Sequence, residues 1–133
     1  MGGIVWDPAL DTGDALVDEQ HRGLLELLNE LDAVEDADMA RIVAVLDRLE
    51  HGLAVHFATE EQYMAQLSYP VEATAAHVRE HRLMAAKQST MSIDYRRGWT
   101  AGTAPLVDYL TSWLSDHIQT QDRLLVEYVR AGR

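Results

Sequence analysis

Five histidines and two carboxylates in this chain fall at spacings that can close a two-metal site: His21, His56 with Glu60, His77 with His81, and His117 with Asp122. Imidazole and carboxylate are the side chains that hold iron, manganese and zinc. Cysteine is absent, which removes thiolate metal sites, a cysteine nucleophile and a disulfide framework. On a helix, residues four apart differ by only about 40° in azimuth and one turn in height. His56/Glu60 and His77/His81 therefore each present two side chains to one point. His117/Asp122 is different, because five residues apart means about 140°. That pair converges only if one side chain reaches around or the helix is locally widened, as in a π-bulge. Asp122 joins the set because it shares a row with Leu114 and Ile118, which should face inward.

Four amphipathic segments must position these groups. Residues 1–15 contain Asp7-Pro8 and Gly13 and read as an extended arm, with Trp6 as an anchor. The first helix is predicted over 16–31, with Val17, His21, Leu24, Leu28 and Leu31 on one stripe. The Asp-rich residues 32–38 connect it to a second helix over 39–67. The stripe there is Ile42, Leu46, Leu49, Leu53, His56, Glu60, Tyr63 and Leu67. Ser68-Tyr69-Pro70 breaks the pattern, since proline suits a first helical turn. The third helix is predicted over 71–97, with Thr74, His77, His81, Met84, Gln88 and Met91 in line. Residues 98–102 form a turn. The fourth helix is predicted over 103–129, with Leu106, Leu110, Trp113, His117 and Leu124 on one row and Leu114, Ile118, Asp122, Leu125 and Val129 on the next. The expectation is an all-α chain, a single domain over 1–133: an antiparallel up-down-up-down four-helix bundle with an extended N-terminal arm.

Imidazoles and carboxylates on core stripes are costly to bury without a partner, and a metal supplies one. Seven protein ligands are too many for one tetrahedral zinc. Two octahedral irons offer twelve positions. Five imidazoles, two bridging carboxylates and one bridging oxide or hydroxide fill all but one of them. The open position suits a small diatomic ligand, where a purely structural site would be closed. His51, the sixth histidine, lies off the stripe and reads as a non-ligand. Glu61 points about 100° away from Glu60, and is either solvated or a partner for a histidine ring. Glu80 is flanked by candidate ligands but is expected to face elsewhere. Leu114 and Ile118 either wall the open position or simply pack the core. Trp113 and Phe57 adjoin candidate ligands and should pack around them.

Composition bounds the rest. At 133 residues the length fits one domain with a real core. The formal net charge of −11 argues against a nucleic-acid surface, which needs clustered Lys and Arg. No apolar run approaches the ~18 residues of a membrane span, and no signal peptide is visible in MGGIVWDPAL. A cytoplasmic protein without membrane insertion is the expectation.

The motifs resemble those of the hemerythrin family, in its bacterial single-domain form. DEQH at 18–21 is similar to the family's first-helix signature, HFATEEQYM at 56–64 to its HFxxEExxM segment, YPVEATAAHVREH at 69–81 to its Pro-led HxxxH helix, and WLSDHIQTQD at 113–122 to its WLxxHIxxxD ending. The resemblance implies that His77, His81 and His117 hold one iron, that His21 and His56 hold a second with an open position, and that Glu60 and Asp122 bridge the two. It implies two non-haem iron ions joined by an oxo or hydroxo bridge, and end-on binding of dioxygen at the open iron. It also implies an oxygen pocket walled by Leu114 and Ile118, with Trp113 and Phe57 beside it. One departure is Met84, where the family often has Phe; its flexible thioether fills gaps adaptably and puts pocket packing in question.

The implied function is reversible dioxygen binding for storage, transport or delivery to an oxygen-consuming enzyme, without catalysis. Two alternatives stand beside it. One is oxygen sensing through a separate signalling partner, since only eleven residues follow Asp122. The other is di-iron peroxide or nitric oxide chemistry, although five imidazoles and two carboxylates favour binding over oxidation.

Overall fold

The structure, a computed structural model, describes residues 8–34, 38–98 and 103–131. Trp6, part of the 32–38 connection and most of the 98–102 turn lie outside the described residues. Helix α1 spans Ala15–Ala33, α2 Met39–Gln66 and α3 Val71–Arg96. The fourth rod is α4 (Ala104–His117), a π-helical turn (Ile118–Asp122) and α5 (Arg123–Arg130), with helical backbone through both junctions. The rods pack in a closed ring, α1 on α2, α2 on α3, α3 on α4 and α4 back on α1. They form the expected antiparallel four-helix bundle.

Local chemistry sets the boundaries. Asp14 caps α1 by accepting from the Val17 amide at 2.9 Å, and Asp38 caps α2 by accepting from the Arg41 amide at 3.0 Å. Ser68 takes a left-handed φ of 53° at the break before Tyr69-Pro70, and α3 starts one residue later. The core is a leucine-rich stack that includes Leu24, Leu28, Leu31, Leu46, Leu49, Leu53, Leu106 and Leu110.

The described part of the arm is less extended than expected. Pro8–Leu10 forms one 3-10 turn, and Leu10 is buried in the core. Asp18 then ties the arm to α1. Its carboxylate accepts from the Thr12 amide at 2.9 Å, the Thr12 hydroxyl at 2.6 Å and the Gly13 amide at 3.1 Å. Gly13 has a φ of +98°, which a side chain would strain. Burial pushes the Asp18 carboxyl up, but the bonds from Thr12 and Gly13 outweigh it and hold the group below its ordinary value. A depressed carboxylate stabilises the fold fully above its unfolded pKa and loses that contribution as pH falls through the folded one. Asp18→Asn is therefore expected to cost about 2 kcal/mol near neutral pH, or roughly 5–10 °C in melting temperature. Thermal melts of parent and variant should converge as the pH drops below the carboxylate range; a gap that persists in acid would assign the effect to shape rather than charge.

One expected core position is displaced. Leu124, placed inward by the simple helical repeat, is 56 % exposed, while Leu125 and Val126 are fully buried. The π turn is the cause. It adds one residue to the helical circuit, so every position after it is rotated one step relative to the row that precedes it.

Polar stripe residues far from the histidines are satisfied by ordinary means. Gln88 donates to Glu50 at 2.9 Å and Ser92 at 2.6 Å. Arg96 bonds Glu50 at 3.0 Å and also pairs with Asp47, fastening α2 to α3.

Candidate metal centre

Each rod contributes to one buried cluster. His21 comes from α1, His56 and Glu60 from α2, His77 and His81 from α3, His117 from α4, and Asp122 from the end of the π turn. All seven are at most 2 % exposed. The π turn answers the spacing problem of His117 and Asp122, because widening the helix brings a residue five along to the same side. The structure thus brings together every residue that the stripes singled out. His51 is exposed and stands outside the cluster.

Two groups of ligand-type atoms emerge, each within 4.8 Å: His77, His81, His117, Glu60 and Asp122 in one, and His21, His56, Glu60 and Asp122 in the other. The two carboxylates belong to both. Asp122 divides its oxygens between them. Its Oδ2 lies 2.8 Å from His21 Nε2 and 3.6 Å from His56 Nε2, and its Oδ1 lies 3.0 Å from His77 Nε2 and 2.8 Å from His117 Nε2. Glu60 Oε1 faces His81 at 3.1 Å, His56 at 3.2 Å and His77 at 3.5 Å.

These separations fit a metal as well as they fit hydrogen bonds. Donors about 2.1 Å from an ion and at right angles to one another are about 3 Å apart. His21 Nε2 and His56 Nε2 stand 2.9 Å apart, a separation that suits an imidazolium donating to a neutral imidazole and equally two ligands of one ion. Among the described residues, seven buried side-chain polar atoms lack a hydrogen-bond partner, and six of them are in this cluster. Three of these are His77 Nε2, His117 Nε2 and Asp122 Oδ1, which lie close together without being aligned as hydrogen bonds. Gln88 and Ser92 show what a self-satisfied polar core looks like; the histidine cluster does not match it. The donor set therefore fits a pair of cations.

Charge reinforces the convergence. Burial pushes the His56 imidazolium down, but the hydrogen bonds and charges of Asp122 and Glu60 outweigh it and hold it up at about 9. Against burial, the carboxylates of Asp122 and Glu60 standing close by hold His117 up at about 10 and raise His77. Burial and the neighbouring Asp122 push the Glu60 carboxyl up, yet His117 and His56 bring it below its ordinary value. Burial likewise works against Asp122, and its hydrogen bonds with Glu60 and the imidazoles hold it well below.

A second set of residues fixes the rings from behind. His56 Nδ1 meets Gln20 Oε1 at 2.8 Å, His81 Nδ1 meets Glu61 Oε2 at 3.0 Å, and His117 Nδ1 meets Glu80 Oε1 at 2.8 Å. Each contact makes Nδ1 the donor and turns Nε2 toward the cluster centre, where a bound cation would take the place of its proton. Glu61 is thus a partner for a histidine ring. Glu80 corrects the expectation that it faces elsewhere: it lies on α3 but reaches across to His117 on α4. Gln20 was not singled out in the sequence, although it stands beside His21. Its amide is oriented by donating to Thr59 at 3.0 Å.

Aromatic rings close one side. Phe57 stacks on His81 with ring centres 4.0 Å apart and 14° between planes, and Trp113 stacks on His117 at 4.4 Å and 14°. Leu114 and Ile118, each within one turn of His117, are buried. No described helix is long and apolar enough to cross a membrane.

A family model described as hemerythrin HHE cation binding domain matches residues 12–129. A bacteriohemerythrin of Pseudomonas aeruginosa (strain LESB58) is 32 % identical over 131 residues, covering 98 % of this chain and 84 % of that protein. A bacteriohemerythrin of Stenotrophomonas maltophilia (strain R551-3) is 31 % identical over 98 % of this chain and 84 % of that one. In fold, a crystal structure of wild-type hemerythrin superposes with a TM-score of 0.83 at 24 % identity, covering 91 % of this chain and 93 % of the other. A hemerythrin variant superposes with a TM-score of 0.87 at 23 % identity, covering 96 % and 98 %. By its sequence and by its bundle, the chain belongs to the hemerythrin family.

Proposed function

We propose that the protein binds dioxygen reversibly at a pair of iron ions held by this cluster. His77, His81 and His117 would hold one ion, His21 and His56 the other, and Glu60 and Asp122 would bridge them. The observation that carries the reading is the sharing of both carboxylates by two convergent groups, with Asp122 offering one oxygen to each. When bound, the iron pair supplies the electrons and the open coordination position that dioxygen requires.

The chain's own residues do the rest. Gln20, Glu61 and Glu80 hold three imidazoles in the tautomer that presents Nε2 inward. Phe57 and Trp113 cover His81 and His117 with apolar rings, and Leu114 and Ile118 exclude water from the pocket. Five imidazoles with two carboxylates favour holding a ligand over oxidising a substrate.

The test is direct. Iron-loaded protein is reduced without oxygen, then exposed to it, and the visible spectrum is followed through repeated cycles. Reversible cycling with two irons per chain is expected; a single tightly held zinc, or a spectrum that changes once and never returns, would sink the reading. A sharper check concerns the pocket wall. Leu114→Asn is expected to speed decay of the oxygenated spectrum roughly tenfold at unchanged iron content. A hydrogen bond and the water it admits are worth about 1–2 kcal/mol on such a barrier, which converts to that factor. An unchanged decay rate would leave Leu114 as core packing.

A further inference from the structure

The imidazoles held from behind are not held alike. His81 and His117 turn Nδ1 to the carboxylates of Glu61 and Glu80, and both belong to the three-histidine half of the cluster. His56, in the two-histidine half, turns Nδ1 to the amide oxygen of Gln20. Among the described residues the Nδ1 atoms of His21 and His77, one in each half, meet no acceptor, so they do not offset the difference. Carboxylates therefore stand behind the rings of one half, and a neutral amide behind the other.

The neutral contact has a fixed direction. An amide has an oxygen that accepts and a nitrogen that donates, and only the oxygen can serve the His56 Nδ1–H. Thr59 decides which end points where. Its hydroxyl donates to the Val55 carbonyl oxygen at 3.0 Å, which uses its single proton, so toward Gln20 it can only accept. Gln20 Nε2 donates to it at 3.0 Å, and Oε1 is left facing His56 at 2.8 Å. The relay from Val55 through Thr59 and Gln20 orients His56 across α1 and α2 without using a charge.

Charge behind a ring changes what the ring holds. A carboxylate that accepts from Nδ1–H draws that proton toward itself and makes Nε2 a stronger donor to a cation; an amide does so much less. Stronger donors hold a cation more tightly and favour ferric over ferrous iron. Glu61 and Glu80 are 42 % and 37 % exposed, so water screens part of their field. The direct hydrogen bonds remain, which places the expected difference at roughly tenfold, the low end for partners of metal-binding histidines.

We propose that Gln20 and Thr59 are positioning residues for the ion at His21 and His56: by aligning His56 with an uncharged acceptor they keep that ion less tightly held and less readily oxidised than its neighbour. The proposal rests on the two-iron reading above. It makes the half with the open position the last to fill and the first to empty.

The test follows iron release from the reduced, iron-loaded protein into an excess of a ferrous chelator. In the parent one iron is expected to leave roughly tenfold faster than the other. Gln20→Glu, which adds a carboxylate behind His56, should slow the fast phase by about that factor and leave the slow phase in place. It should also lower the potential of one one-electron step by about 59 mV, the same factor converted, as read by spectroelectrochemistry. Gln20→Leu and Thr59→Val should quicken the fast phase alone, and Thr59→Ser should restore the parent's rate. A merely structural role would move both phases together and leave the potential unchanged. Simultaneous loss of both irons from the parent, or a fast phase indifferent to Gln20→Glu, would overturn the proposal while the two-iron reading stood. If Gln20→Leu does not fold, Gln20→Glu, of nearly the same shape, decides. A parent that never holds two irons would sink the two-iron reading and the proposal with it.

Discussion

Asp122→Ala is expected to strip the iron from both halves of the cluster at once. Among the described residues no other side chain divides two oxygens between the groups so evenly: Oδ2 serves the His21 side at 2.8 Å and Oδ1 the His117 side at 2.8 Å. Removing it deletes a ligand from each proposed ion. It also leaves His21, His77 and His117 facing an apolar gap, where unpaired polar groups are costly. Metal analysis should fall from two irons per chain to almost none, and the visible spectrum of the oxygenated form should vanish. His51→Ala, an exposed position on the same helix as His56, is the matched control and should retain the parent's iron. Iron retained equally by both variants would mean that the convergent atoms are not ligands.

The second large effect is on stability. Removing iron with a chelator is expected to lower the melting temperature by about 10–20 °C. His77 Nε2, His117 Nε2 and Asp122 Oδ1 are buried without a hydrogen-bond partner from the protein. Each such atom costs on the order of 1–3 kcal/mol when nothing satisfies it. A ligand that binds only the folded state adds its own stabilisation by mass action. For a chain of this size each kcal/mol moves the melt by a few degrees. Imidazolium–carboxylate pairs recover part of the loss, since His56 is held up at about 9 and His117 at about 10 by Asp122 and Glu60 against the effect of burial. Differential scanning calorimetry of loaded and stripped protein checks the outcome; coincident melts would show that the bundle does not lean on its metal.

Much of this architecture could be read from the residues. The stripes through His21, His56, His77 and His81 place those side chains inward because a regular helix has a fixed pitch, and the structure buries all of them. The cap at Asp38 follows from the acidic connection standing just before an apolar repeat, whereas Asp14 lies in residues that read as an extended arm and its cap appears only in the structure. What escaped depends on distances between rods, which a one-dimensional pattern does not contain. Glu80 looked idle because its own helix gives it no reason to face the cluster; the neighbouring rod brings His117 to it. Gln20 was hidden because an amide beside a histidine carries no special spacing. The clamp from Asp18 to Thr12 and Gly13 needed the arm to fold back, which sequence periodicity does not report. Leu124 was misplaced for another reason. The simple repeat treats residues 118–122 as uniform helix, although the spacing of His117 and Asp122 signals a local widening there.

That widening behaves like a dislocation in a crystal. The lattice on either side is regular, but the two sides are offset by one unit, and the offset persists to the boundary. In the fourth rod the offset is one residue, and it persists through Leu125 and Val126 to the end of α5. Its phase is therefore shared between two tasks that look separate: aiming one carboxylate, and choosing which face of the last helix meets the core. Neither can be retuned alone. A connection between rods can gain or lose a residue without consequence for the packing beyond it, whereas the stretch 118–121 has a length as fixed as the identity of the residue it delivers.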